Sequence, residues 1–468
     1  MDIIGPSNVP ENIIATGHQA IWYHCGIWAK NLATCKFAKT IGGISLQLVL
    51  DQDICNTAMV LPKQNTDGSW YFERIEIQPE QKAIPLEFRR PPQGDHIKSF
   101  VDTVAKARPG QFCNDIWSEC VVLKANNISY FNSIADLITY FQSVLNAAFG
   151  LNIMYLPVSK LSESDAFVNY VISIMLDTSN FATIYNNAVT KQINELRINP
   201  RDTVQRLKLD NTAGLTELPF WLYLPNGKRA SLYVTSKKTD KVRIGTVSTA
   251  LGKLDSACLS SKADQLKNIL QQTSYRLRPK AVSLTLFVRL YIADWFVHGI
   301  GGNQYEPVTD YIIENYYKIK PLKFGLATST MTLPTRNNVA FHNCNISQLK
   351  HELHNIRHNP EKYLDESILK EEPVASLLRA KREKITQAKD HSLPANLRKS
   401  AWCSLVRINQ SLSEYTKNTA KTVEKKIVEF EKNKISQEAC DCREYFFGLF
   451  PENRLRKLAK SLIFTEPE

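Results

Sequence analysis

Apolar residues and their spacing divide the chain into segments of different period. Residues 13–16 are a short apolar run, 25–40 carry Ile27, Leu32, Cys35 and Phe37 at helical spacing, and 44–50 are continuously apolar. That order predicts strand, helix and buried strand, the opening of a β-α-β unit, with Gly42-Gly43 ending the helix. Residues 56–130 are irregular. Trp70, Phe72, Ile75 and Ile77 mark a hairpin-like excursion through Asn65 to Gly68, and Pro91-Pro92 mark a turn. Helices are predicted over 95–107 and 134–149 and a strand over 151–157. A further helix over 162–176 has Ser162 as its cap and Asp165 as cap partner.

Between 181 and 275 the α/β pattern stops. A helix of mixed face gives way to strands about Asn226-Gly227, a strong hairpin signal. Glu217 and Trp221 precede that turn and Lys228 and Arg229 follow it; a lid over an active site and a structural edge hairpin are both compatible. The α/β pattern resumes over 276–333. An Arg-Leu-Arg-Pro-Lys lead runs into an apolar segment, then His298-Gly-Ile-Gly-Gly302, a helix over 305–317 and a strand-like 324–333. Beyond 335 the composition turns to Lys- and Glu-rich helices. Leu405, Ile408, Leu412, Tyr415, Val423, Ile427 and Phe430 recur at 3–4 spacing and support a helical hairpin or coiled coil. Residues 443–462 hold too many aromatics for a free tail and should dock back on the protein. The fold class expected is α/β: a Rossmann-like parallel-sheet core with inserted segments and a C-terminal α-helical, coiled-coil-like domain. Residues 1–200 would form the first part of the core, 201–275 an inserted β-hairpin and helix region, 276–335 the second part of the core and 336–468 the helical domain.

Composition narrows the class. At 468 residues the chain exceeds one compact core, and with 43% hydrophobic and 22% charged residues it can bury several. No uncharged apolar run reaches about 18 residues and the N-terminus lacks a basic-then-apolar pattern, so a cytoplasmic protein without membrane partners is expected. Ten irregularly spaced cysteines read as reduced thiols. The net charge of +12 favours anionic partners. Much of the excess falls after about residue 375, where lysines alternate with glutamates at helical spacing. Nucleic acid is disfavoured, since no aromatic-interleaved basic motif or zinc-finger spacing accompanies the charge.

Candidate chemistry gathers at two places. In a β-α-β unit the loop after a strand's carboxyl end faces the ligand crevice. Thr16, Gly17, His18, Gln19 and His24 lie on the first such loop, and Asp51, Gln52 and Asp53 close the second strand at the same edge. The other place is the glycine cluster, where His298, Glu306 and Asp310 crowd Gly299, Gly301 and Gly302. A tight turn capped by His298 and a ligand-approach loop are both open there. His24-Cys-Gly-Ile27 resembles the His-x-Gly-His signature of nucleotidyltransferases, in which histidines stabilise phosphates, without its final histidine. Cys25 could be a thiolate, with packing the favoured reading. His351, His354 and His358 share a helical face, read as polar surface in preference to metal ligation, and Cys440-Asp-Cys442 is too close-set for zinc.

Thr16-Gly17-His18-Gln19, Leu48 to Asp53, Arg278-Pro279, and Gly301-Gly302 followed by Tyr305 and Glu306 stand in an order similar to the cysteine-adding enzymes of bacillithiol synthesis. The similarity spans most of 12–335. It implies a Rossmann-like core, a helical region that pairs two subunits into a homodimer, and a nucleotide pocket for ATP or ADP. The reaction implied is amide formation between an amino acid, cysteine in that family, and an amine-bearing sugar-derived acceptor. On this reading His18, Asp51, Asp53, His298 and Glu306 are the catalytic candidates. Thr16, Gly17, Gln19, His24, Arg278, Gly301, Gly302 and Asn303 are the substrate- or nucleotide-binding candidates, with no metal ligand assigned. His18, Gln52, Ile54, His298 and Asn303 depart from the family pattern at this pocket. The alternative is a non-catalytic nucleotide- or partner-binding protein on the same scaffold.

Overall fold

A computed structural model describes residues 12–77, 84–92, 94–106, 131–196, 204–210, 214–224, 226–235, 242–254, 259–332 and 346–461. The chain forms two compact units. One comprises 1–63, 72–333 and 442–468, the other 64–71 and 334–441.

The first unit opens with strand β1 (Ile13–His18), helix α1 (Cys25–Ile41) and strand β2 (Ile44–Val49). Helix α1 begins where His24 adopts extended backbone and its Nδ1 accepts the Gly26 N–H at 3.0 Å. It ends at Gly42, whose φ of 69° is cheap only for glycine. A hairpin of β3 (Met59–Gln64) and β4 (Trp70–Ile75) follows, then α2 (Gly94–Lys106), α3 (Ile134–Ala148) and β5 (Ile153–Pro157). Ser133 and Asp136 form a reciprocal capping box on α3. A single turn, α4 (Val158–Leu161), precedes α5 (Asp165–Leu176) and α6 (Thr178–Leu196). Because α4 already occupies Ser162 as its C-cap, the cap of α5 is Ser164 and not Ser162.

An antiparallel sheet is then built from β6 (Leu209–Asp210), β7 (Leu215–Tyr223), β8 (Arg229–Thr235), β9 (Val242–Gly245), β10 (Ala250–Leu254) and, after α7 (Leu259–Thr273), β11 (Arg276–Pro279). The β7–β8 connection turns at Gly227, with φ 77°. The chain continues through α8 (Ala281–Tyr291), β12 (Trp295–His298), α9 (Ile300–Asn303), α10 (Glu306–Asn315) and the two-residue β13 (Gly325–Leu326). Residues 276–279, expected in the parallel core, instead pair antiparallel with β7, Arg278 opposite Trp221. Of the strand expected over 324–333, whose last residue lies outside the described residues, Gly325 and Leu326 form a strand and pair with Val297 and His298.

The parallel sheet has the order β13-β12-β1-β2-β5. Counting its strands along the chain, that is 5-4-1-2-3, so the order reverses between β1 and β12. One core cluster joins both sheets: Leu46 and Leu48 of β2, Phe167 and Val171 of α5, Phe181 and Tyr185 of α6, Phe220 and Leu222 of β7, and Leu286 and Phe287 of α8. Near the chain end, Phe447 stacks on Trp28 at 4.8 Å with 5° between the planes, and its N–H donates to the Tyr23 carbonyl at 2.7 Å. A last helix, 452–461, follows.

The second unit is helical. Leu349 and Ile356 of the helix 346–358 pack on Val423 and Ile427 of the helix 417–441, and Ala388 packs on Ala401 and Leu405. Lys381, 5% exposed, is held at 2.9 and 2.7 Å by both oxygens of Glu361. Among the described residues no helix is long and apolar enough to cross a membrane.

Candidate ligand-binding site

Two strand ends of the parallel sheet and one face of the antiparallel sheet enclose a cavity of about 660 Å³ within the first unit. Asp53, four residues beyond β2, and Gly301, Gln304 and Tyr305, beyond β12, supply the parallel-sheet side. Glu217, Trp221, Arg229 and Lys280 supply the other side, with Tyr185 and Arg206 alongside. Glu217 and Trp221, four residues apart on β7, both line the cavity, as the alternation of a strand allows. Glu217 pairs with Tyr233 and Trp221 with Ser231, so four steps on β7 oppose two on β8 and the strand bulges between them. Pro219 sits inside that bulge, where its missing N–H costs no ladder bond, and its carbonyl accepts the N–H of Lys280 at 3.0 Å.

The cavity wall is a chain of charge and aromatic contacts. Lys280 Nζ lies 2.6 Å from Glu217 Oε1, 3.1 Å from Ser231 Oγ and 4.2 Å from the centre of the Trp221 ring. The Arg229 guanidinium lies 4.6 Å from the same ring. Cations at such distances from an indole are attracted to it. Burial pushes the Glu217 carboxyl up, but bonds from Lys280 and Ser231 outweigh it and leave the group below its ordinary value. Burial lowers Lys280 against the same partner. Asp53 accepts the Gln19 amide at 2.8 Å, and burial raises its carboxyl against that bond and the charge of Arg229. Among the described residues neither Arg206 nor Arg229 has a carboxylate within 4.0 Å. Arg229 instead bonds the Tyr223 phenol, so the cavity offers two guanidinium groups without a carboxylate in contact, near one carboxylate whose proton affinity is raised.

The other residues chosen from the sequence are placed elsewhere. Asp51 accepts hydrogen bonds from the Ser159 N–H at 2.9 Å and the Ser159 hydroxyl, tying the end of β2 to α4; burial pushes it up to about 6. Glu306 is fully buried between His298, at 2.8 Å, and Arg289, which also reaches Asp310 at 2.7 Å. Arg278 is clamped by both oxygens of Glu87 at 2.9 and 2.7 Å and lies 3.4 Å from Glu163. The Thr16 hydroxyl donates to the Val297 carbonyl, joining β1 to β12. His24 caps α1, Asn303 closes the turn α9 through Gly299, and Gly302 abuts the His298 ring. His18 meets Tyr23 edge-on at 5.4 Å; burial first, then the charge of Lys30, push its imidazole down to about 3, so it is neutral at pH 7. Cys25 is buried and pushed up to about 12 by desolvation, which removes it as a thiolate nucleophile. The carbonyl of Gly17 accepts from Lys30.

Of the sequence-chosen residues, Asp53 and Gly301 line the cavity and Gln19 reaches it through Asp53. Glu217, Trp221 and Arg229, noted beside the Asn226-Gly227 turn, join them. Lys280 closes the Arg-Leu-Arg-Pro-Lys lead and was legible as a motif, whereas Tyr185 and Arg206 carry no local signal. Comparison with known protein families and with curated proteins finds no match for the sequence.

Proposed function

We propose that the cavity is the site of an amino-acid ligase, joining an amino acid to an amine-bearing, sugar-derived acceptor with help from ATP. Cysteine is the amino acid if the likeness to the bacillithiol enzymes extends to substrate. The observation that carries this reading is that Arg206 and Arg229, neither with a carboxylate within 4.0 Å among the described residues, line one 660 Å³ cavity with Asp53. Amide formation needs cations for carboxylate or phosphate charge and a base for the attacking amine. Arg206, Arg229 and Lys280 fit the first role and Asp53, whose carboxyl is raised by burial, fits the second. The reversal of strand order between β1 and β12 supports a Rossmann-like reading, since ligands of open α/β sheets bind outside the strands' carboxyl ends at such a point. In the test, protein is incubated with ATP, cysteine and an amino-sugar acceptor. ADP or AMP should form only when all three are present, and Asp53→Asn and Arg229→Ala variants that melt as the parent should form none.

A second reading has its own support. Asp51 is committed to Ser159 and Glu306 to Arg289, which fits a nucleotide- or partner-binding protein without turnover. That reading predicts a shift of melting temperature with ligand, about 2.7 kcal/mol at one hundred times the dissociation constant, and no nucleotide product. Homodimer formation through coiled-coil-like pairing of the helical unit is supported by exposed Trp402, Val406, Val428 and Ile435. Sedimentation of the full chain against Val428→Glu should report loss of the dimer.

A further inference from the structure

Lys30 lies on α1 and is only 5% exposed. Its Nζ donates to the Gly17 carbonyl at 2.7 Å, at the carboxyl end of β1. Its chain runs on toward β12, where a Cβ added at Gly299 would lie 3.7 Å from Lys30 Cδ. The lysine thus spans the point at which the strand order of the parallel sheet reverses. Among the described residues no carboxylate stands within 4.0 Å of it, and its one hydrogen bond leaves two of the three ammonium donors unused. The titratable groups it influences are basic: His18, kept neutral, and His24, whose ring faces Glu444 at 4.0 Å. A buried ammonium without a counter-ion is costly, and desolvation alone pushes Lys30 down to about 7. A structural lysine in this protein looks different: Lys381 is equally buried and holds both oxygens of Glu361.

We propose that the point beyond the carboxyl ends of the adjacent strands β1 and β12 is a phosphate-binding site, with the Lys30 ammonium as its fixed charge and the backbone at Gly17 and Gly299 beside it. An oxyanion there supplies the charge that the protein withholds, and the two unused donors point to a group with several acceptor oxygens. Gly299 has extended backbone, φ −91° and ψ 178°, that any residue adopts, so a side chain placed there would tell by bulk beside Lys30 and not by strain. The proposal rests on the nucleotide reading above only for what the phosphate is attached to.

Calorimetric titration of the full chain with pyrophosphate, ADP and adenosine tests it, using the parent, Lys30→Met and Gly299→Val. Both variants should weaken pyrophosphate and ADP at least tenfold while adenosine, if it binds, is unchanged. Lys30→Met without ligand should melt at or above the parent temperature, because removing an uncompensated buried charge relieves the apo protein. Should Lys30→Met fail to fold, Gly299→Val still reads the site. The proposal is overturned if the parent binds neither pyrophosphate nor ADP, or if the folded variants bind pyrophosphate within twofold of the parent. A drop in melting temperature with pyrophosphate binding unchanged would make Lys30 a structural tie. Lysine-dependent pyrophosphate binding without any response to ADP or ATP would leave this inference standing and remove the ATP-dependent ligase.

Discussion

Gly302 faces the ring of His298 so closely that a methyl group at its α-carbon would overlap Nδ1. The ring cannot easily yield, being 4% exposed and 2.8 Å from the fully buried Glu306. Gly302→Ala should therefore cost about 1–3 kcal/mol by overpacking. Gly301, one residue earlier, has nothing within 4 Å of its missing Cβ. Gly301→Ala should leave stability within about 0.5 kcal/mol of the parent. Urea unfolding should show a lower midpoint at constant slope for Gly302→Ala alone; equal midpoints for the two variants would contradict the contact.

Arg278 is 2% exposed and bonded to both oxygens of Glu87, so it holds β11 to the segment that follows the hairpin and is not free for a ligand. Removing one partner strands the other charge in the interior. Arg278→Met should destabilise by about 3–5 kcal/mol, whereas Arg278→Met with Glu87→Met should recover most of that loss. Denaturation of both single variants and the double variant measures the coupling. A double variant no more stable than Arg278→Met would show that the pair is not the source.

The opening β-α-β unit was legible because its signals are local: an apolar run, a helical period ended by Gly42, and a second apolar run. The antiparallel placement of Arg276–Pro279 was not. Four residues cannot specify the direction of a partner strand, and the partner of Arg278 is Trp221, far back in the chain. Asp51 and Asp53 show the same limit at the site. Two residues apart at one strand end, they are equivalent in sequence, but Ser159 takes Asp51 into the structure and leaves Asp53 at the cavity wall. Glu306 and His298 likewise marked a real constellation, and only Arg289, buried beside them, turns it from an acid-base pair into an internal network.

Asp51 should make the protein less stable as pH rises through the mildly acid range. Folded, its carboxyl releases a proton at about 6, and unfolded at about 3.9. Between these values the native state binds more protons than the unfolded state, so stability falls from pH 4 to 6 and is flat above. The full change is on the order of 3 kcal/mol. His18, with its pKa lowered, acts in the opposite sense over an overlapping window, so the parent curve alone is not diagnostic. Subtracting the curve of Asp51→Asn, measured by urea unfolding at pH 4, 5, 6 and 7, isolates the slope. Parallel curves would show that Asp51 titrates normally.

Lys30 has the opposite sign and a different window. Unfolded, its amine holds a proton to about pH 10.4; folded, only to about 7. Between those values the unfolded state binds more protons, so this group makes the protein more stable as pH rises from 7 toward 10, by on the order of 4–5 kcal/mol in full. The buried thiols oppose it: Cys25 keeps its proton to about 12 when folded, while an unfolded thiol loses it near 8.5. The informative quantity is again a difference, the stability of the parent minus that of Lys30→Met by urea unfolding at pH 7, 8, 9 and 10. It should increase steadily with pH. A constant difference would mean that the amine stays charged in the fold, with an unseen counter-charge beside it.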